Sequence, residues 1–167
     1  MMMNAFQPAS GAGLPMSESR VAADTRHRVS YPNSRPRAIK VFGLGQGGSE
    51  IARRLGDAGF GHVEALPTLG EGGAGPALDR NALQRVVETA DMVFVVARDG
   101  DDIALASVLS PIAHARNILV TGILIQALEA RTPSPDATLN ALRSASDMLV
   151  IVSDEAYVGE MLGALGA

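Results

Sequence analysis

Strands and helices alternate along this sequence, and that alternation limits the possible folds more than any other feature. Five apolar runs typical of buried strands are separated by segments in which apolar residues recur at helical spacing. The runs are AIKVFGLG, GHVEAL, DMVFVVA, NILVTGILI and MLVIV. Short connections between alternating elements favour parallel strands with helices on both faces. We therefore predict an α/β fold, a doubly wound, Rossmann-like parallel sheet of about five strands.

The helical segments carry their own signals. We predict the first helix over SEIARRLGDAGF, where Ile51 and Leu55 share a face, and the last over DEAYVGEMLGALG. The segment SPDATLNALRSASD has Ser134 as a predicted N-cap and Pro135 at the first helical position.

The chain divides by composition into a tail and one domain. Residues 1–37 are rich in Pro, Ser, Gly, Ala and Arg and lack periodicity, so we expect a disordered or loosely attached basic tail. Residues 38–167 form the predicted domain. The chain up to Lys40 has a formal charge of +4, against -4 for the whole, which leaves -8 for the remainder. A domain this acidic argues against binding nucleic acid.

Composition also bears on location. No apolar run is long enough for a membrane span, and the first 20 residues lack the pattern of a secretory signal. The sequence has no cysteine, which excludes disulfides and thiolate-ligated metals. We therefore expect a cytoplasmic protein without a membrane span.

A glycine cluster follows the first strand. Gly43, Gly45 and Gly48 form G-x-G-x-x-G between a strand and a helix, with Gln46 and Gly47 inside the motif. Such glycines let phosphate reach backbone N–H groups at a helix N-terminus, or they serve only close packing. The sequence leaves both readings open.

A dinucleotide such as NAD would also need an acid at the end of the second strand, to hold the ribose. Glu64 lies near the required distance, but HVEALP places it within the strand, facing outward. The position of Glu64 therefore argues against an NAD-dependent oxidoreductase.

Several motifs together suggest a different relationship. The order of IKVFGLGQGGSEIA, LGEGGAGPALDRNALQRVVETADMVFVVA, NILVTGILI and LNALRSASDMLVIVSDEAYVGEML resembles the nucleotide-binding half of the bacterial tubulin homologue FtsZ, over about residues 38–163. The resemblance implies GTP or GDP as ligand, with Mg²⁺ if Asp101 or Asp102 serves as a metal ligand; if no nucleotide binds, no cofactor is expected. It assigns the phosphate-binding loop to Gly43–Gly48, and it assigns a second loop to Gly72, Gly73, Gly75 and Pro76. Ser153, followed by Asp154, takes the place of the base-reading asparagine.

The chain departs from that family in the loop after ADMVFV. Where the family has glycines and threonines, the sequence reads VARDGDDIALAS, and only Gly100 remains of the glycine run. Asp99, Asp101 and Asp102 would place carboxylates against phosphate. Two unit charges about 4 Å apart repel by roughly 4 kcal/mol at an effective dielectric constant of about 20.

These aspartates allow two interpretations. Asp101 or Asp102 can cap the following helix, in which case a carboxylate takes the place that a phosphate needs. Alternatively they hold a metal together with a phosphate, and the sequence does not decide whether a metal binds. Arg98, the neighbouring cation, is expected to pair with Asp99 or to point outward.

By this resemblance, we expect the features needed for hydrolysis to be missing. The family's acid and arginine that hold sugar and base are matched only approximately, by the closely spaced Glu129 and Arg131. The sequence also ends before the domain that carries the family's hydrolytic acids. His27, His62 and His114 lack partners at catalytic or metal-ligand spacing.

We therefore predict a reduced FtsZ-like domain that does not hydrolyse nucleotide. It would act as a nucleotide-responsive or purely protein-binding regulatory module, with a protein partner or self-association, through apolar surface near the last helix. The alternative is a GTP- or dinucleotide-binding protein that uses Gly43–Gly48 while a partner chain supplies catalysis. Any enzymatic activity would be of the GTPase type.

Overall fold

The computed structural model describes residues 36–69, 78–126 and 137–165. They form an α/β fold in which strands and helices alternate. The elements in chain order are β1 (Ile39–Gly43), α1 (Gly45–Asp57), β2 (Val63–Pro67), α2 (Arg80–Val87), β3 (Met92–Arg98), α3 (Ala104–His114), β4 (Val120–Ile125), α4 (Ala137–Ala145), β5 (Met148–Val152) and α5 (Ala156–Ala164). The alternation predicted from the apolar runs is confirmed.

The five strands form one parallel sheet in the order β2-β1-β3-β4-β5. The chain therefore runs outward in one direction from β1 to β2, and in the other from β3 to β5. The point between β1 and β3, where the direction reverses, is where doubly wound sheets leave a crevice beyond the carboxyl ends of their strands. The glycine motif lies at this point.

Apolar side chains form a core on each face of the sheet. One cluster includes Leu83 from α2, Leu109 from α3 and Leu142 from α4. The other includes Ile51 and Leu55 from α1 with Val158 from α5. The central strand β3 contributes to both clusters because its residues alternate between the faces, and five of its seven residues are buried.

The first helix differs from its prediction at its start. It begins at Gly45, four residues before Ser49, so that most of the glycine motif lies within its first turn. Glycine has a low helix propensity, which is why the sequence indicates a loop there. The predicted tail (1–37, apart from residues 36 and 37), the Ser134 cap and Pro135 lie outside the described residues.

Candidate functional site

The glycine motif joins the end of β1 to the start of α1 through a tight turn. Gly45 has a φ of +64°, a left-handed conformation that side chains rarely adopt. Gly48 lies so close to β3 that a Cβ atom there would stand 2.2 Å from the carbonyl oxygen of Val96. The motif thus serves close packing of α1 on the sheet, one of the two readings that the sequence left open.

The N-terminus of α1 is occupied by a carboxylate of the same chain. Oδ1 of Asp101 accepts a hydrogen bond from the Gly47 N–H at 2.9 Å, and Oδ2 accepts one from the Gly48 N–H at 2.8 Å. Oδ2 also accepts the Arg98 N–H at 2.7 Å. A carboxylate therefore accepts hydrogen bonds from the backbone donors that a phosphate group would need. Its negative charge also interacts favourably with the positive end of the helix dipole.

This arrangement corrects the prediction for Asp101 in one respect. Asp101 caps α1, which lies 53 residues earlier in the chain, and not the helix that follows it. Asp102 is not the N-cap of the following helix, which is Ile103, but its Oδ1 accepts the N–H of Ala104, the first helical residue, at 2.9 Å. The two adjacent aspartates thus hold the N-termini of two different helices.

The side chain of Arg98 lies over the same helix end. A Cβ atom at Gly47 would stand 2.5 Å from Cδ of Arg98, so this glycine leaves room for the arginine stem. The Arg98 guanidinium donates to Glu155 at 2.6 Å, and Arg54 forms an ion pair with the same carboxylate. Arg98 therefore has an ion-pair partner near α5 that the sequence did not suggest.

A buried serine connects the glycine motif to the residues that follow β2. The Ser49 hydroxyl is fully buried, donates to the Gly43 carbonyl at 3.0 Å and accepts the Leu69 N–H at 2.9 Å. Thr68 donates to the same carbonyl through both its N–H and its hydroxyl. Sequence analysis missed both residues, although a serine on the buried side of a helix, directly after a glycine motif, is a usable signal.

A small cavity opens beside the occupied helix end. It measures about 200 Å³ and is lined by Gly45, Thr68, Leu69, Leu78 and Asp102, among others. Ligand pockets for drug-sized molecules are typically about 300–1,000 Å³. The carboxylate of Asp102 in its wall disfavours an anionic ligand.

The remaining predicted site residues are dispersed. Gln46 and Asp99 are exposed, and Gly100 donates its N–H to the Thr138 hydroxyl at 3.2 Å. Ser153 follows β5, three strands away from β1, which is about 14 Å at normal strand spacing. The residues predicted for the second loop and for sugar contacts lie outside the described residues: Gly72, Gly73, Gly75, Pro76, Glu129 and Arg131.

Glu64, the residue considered for ribose binding, forms an ion pair with Lys40 on the neighbouring strand β1. It is exposed within β2, which confirms its interpretation as an outward-facing strand residue.

One histidine has an acidic partner. His114 at the end of α3 lies 2.9 Å from Oδ2 of Asp147, which also accepts the Val120 N–H at 2.8 Å. The Val120 hydrogen bond, followed by the His114 contact, lowers the pKa of Asp147 below its ordinary value of 3.8. These contacts fix the starts of β4 and β5. His62 is exposed just before β2, and His27 lies outside the described residues.

Neither a metal-binding cluster nor a membrane-spanning helix is found in the described residues. Within residues 36–69, 78–126 and 137–165, no group of three or more His, Asp or Glu side chains is suitably placed to hold a metal ion. None of the helices in these ranges combines the length and apolar character needed to cross a membrane. No known family profile matches the sequence.

Proposed function

We propose that this protein is a reduced FtsZ-like domain that does not hydrolyse nucleotide and acts through protein contacts. The observation that supports the proposal is the Asp101 carboxylate on the Gly47 and Gly48 N–H groups. A module of this kind keeps the nucleotide-binding fold but stabilises its phosphate loop with an internal anion. Its location would be cytoplasmic, as the sequence predicts, and its partner another protein chain.

The energetic argument against nucleotide binding has two parts. An entering phosphate must first displace Asp101 from three backbone N–H groups, and hydrogen bonds to charged groups contribute about 1.5–3 kcal/mol each. If the carboxylate stays nearby, the two charges repel by roughly 4 kcal/mol at about 4 Å. The repulsion alone lowers nucleotide affinity by about three orders of magnitude.

Calorimetry tests the proposal directly. GTP, GDP and ATP, each with and without Mg²⁺, should give no binding heat with the wild-type protein. Asp101→Gly should gain affinity for nucleotide or for inorganic phosphate, because it frees the donors of α1. The matched control is Asp102→Gly, which removes an adjacent carboxylate of equal charge but leaves Asp101 on the N–H groups of α1, so its gain in affinity should be much smaller.

The outcomes separate this proposal from its alternative. Micromolar GTP binding with turnover by the wild-type protein would overturn the non-hydrolysing function. If the wild type bound nucleotide with Mg²⁺ and Asp101→Gly lost that affinity, the aspartate would be a metal ligand. In that case the alternative of a GTP- or dinucleotide-binding protein that uses Gly43–Gly48 with a partner chain would hold.

A further inference from the structure

The outer edge of β5 has the character of a strand that pairs with another chain. Its five residues, Met148–Val152, are all apolar, and β4 is its hydrogen-bonded neighbour on one side. No strand within the described residues pairs with its other side. An edge strand exposes a row of unpaired N–H and C=O groups, and proteins normally protect such edges with charges or proline. β5 has neither.

The opposite edge of the sheet is protected in this way. Glu64, the second residue of β2, forms an ion pair with Lys40, and Pro67 ends the strand. Proline cannot donate a hydrogen bond to a further strand, and an inserted charge resists pairing. The sheet therefore has one protected edge and one open edge.

Exposed apolar side chains are concentrated near the open edge. Met148 and Ile151 are 58% and 49% exposed, and their positions in the strand place them on opposite faces of the sheet. Leu119 is 66% exposed and lines a cavity of about 370 Å³ together with Met148. An added strand would cover apolar surface on both faces at once.

We infer that β5 pairs in antiparallel orientation with β5 of a second copy of this chain, about a two-fold axis. This inference rests on the proposed function and deepens it, since it names the protein-binding surface and the partner. Two features favour a second copy. The protected β2 edge disfavours head-to-tail pairing, so the contact closes as a symmetric dimer and does not extend into a fibre.

Charge is the second feature. β5 itself is uncharged, so two copies meet without opposed like charges along the strand. The acids that flank it are engaged within their own chain: Asp147 contacts His114 and the Val120 N–H, and Asp154 accepts the Ala156 N–H at 2.9 Å.

Sedimentation equilibrium on the full chain tests the dimer. The wild type should be dimeric from low to high micromolar concentration. Ile151→Lys and Met148→Lys, both at exposed positions, should be monomeric with unchanged circular dichroism. Gln84→Lys, an exposed position on α2, adds the same charge far from this edge and should remain dimeric. A wild type that is monomeric throughout, or lysine variants that remain dimeric, would overturn the inference.

Cross-linking tests the strand pairing itself. Because the chain has no cysteine, single substitutions Leu149→Cys, Val150→Cys and Ile151→Cys place one thiol per copy at the strand centre. Directly opposed residues have Cβ atoms about 4.5–5.5 Å apart, within reach of a short thiol cross-linker. Ala65→Cys, at the centre of β2, should give no cross-linked dimer. Cross-linking at Ala65 but at none of the three β5 positions would contradict pairing through β5.

The two proposals fail separately. GTP binding with turnover by a dimeric wild type would overturn the non-hydrolysing function and leave the β5 contact intact. A monomeric wild type that binds no nucleotide would overturn the β5 contact and leave the non-hydrolysing function intact.

Discussion

Oδ2 of Asp101 lies 2.8 Å from the backbone nitrogen of Gly48, although 53 residues separate the two in the chain. The contact joins the turn after β3 to the first turn of α1. Carboxylate and phosphate oxygens are equivalent acceptors for a helix N-terminus. The same geometry therefore stabilises the domain and occupies the N–H groups that the glycine motif would otherwise offer to a phosphate.

Loss of the Asp101 side chain should destabilise the domain considerably. Asp101→Ala leaves three backbone N–H groups without their acceptor, and we expect a loss of about 2–4 kcal/mol in the free energy of unfolding. Asp102→Ala removes a single capping bond and should cost about 1 kcal/mol. Urea unfolding measures both. Equal losses would contradict the special role of Asp101.

A methyl group at Gly45 should disrupt the same contact from the other side. Its Cβ would stand 2.5 Å from Cβ of Asp101, and the residue also has a positive φ. Gly45→Ala should lose more than about 3 kcal/mol through overpacking and backbone strain. Gly100 also has a positive φ, +83°, but there is open space around it. Gly100→Ala is therefore the control, because it should lose only the free energy of backbone strain, about 1–2 kcal/mol. Thermal and urea unfolding of the pair give the difference.

The buried hydroxyl of Ser49 should hold Leu69 against the glycine motif. Ser49→Ala leaves the Leu69 N–H without its acceptor, and we expect a loss of about 1–3 kcal/mol. Amide hydrogen exchange should accelerate at Leu69. Ser107→Ala removes an exposed hydroxyl that donates to the Ala104 carbonyl in α3, and it should change stability little. Unchanged exchange at Leu69 would show that the serine does not hold this segment.

Asp147 should make stability depend on pH in acid. Its pKa in the folded protein is lowered, chiefly by the Val120 N–H and then by His114. A carboxyl with a lowered folded pKa contributes stability above its ordinary value of 3.8, and that contribution is lost as the pH falls through the folded pKa. Asp147→Asn should flatten this part of the profile, measured by urea unfolding at a series of pH values. An unchanged acid profile in the variant would rule out this contribution.

Local patterns predicted the strands and the place of the glycine motif, but not the contacts that occupy it. Five consecutive apolar residues in the centre of β3 are sufficient to indicate a buried strand. Asp101 contacts Gly48, which is 53 positions away in the sequence, and Arg98 contacts Glu155, which is 57 positions away. Such pairs can be recognised as neighbours only when the strand order is known. The early start of α1 has the same origin, because the distant cap and close packing outweigh the low helix propensity of glycine.

The cap of α1 also has a consequence for how the chain folds. A helix is normally capped by a residue next to its own first turn, so that it can begin to form locally. Here the acceptor for Gly47 lies 54 residues downstream, beyond β3. An amino-terminal fragment ending before β3 would therefore contain an uncapped, glycine-rich α1, and the helix would gain its full stability only after β3 docks beside β1. Formation of this helix is thus coupled to a non-local contact, and non-local contacts are associated with slower folding than local ones.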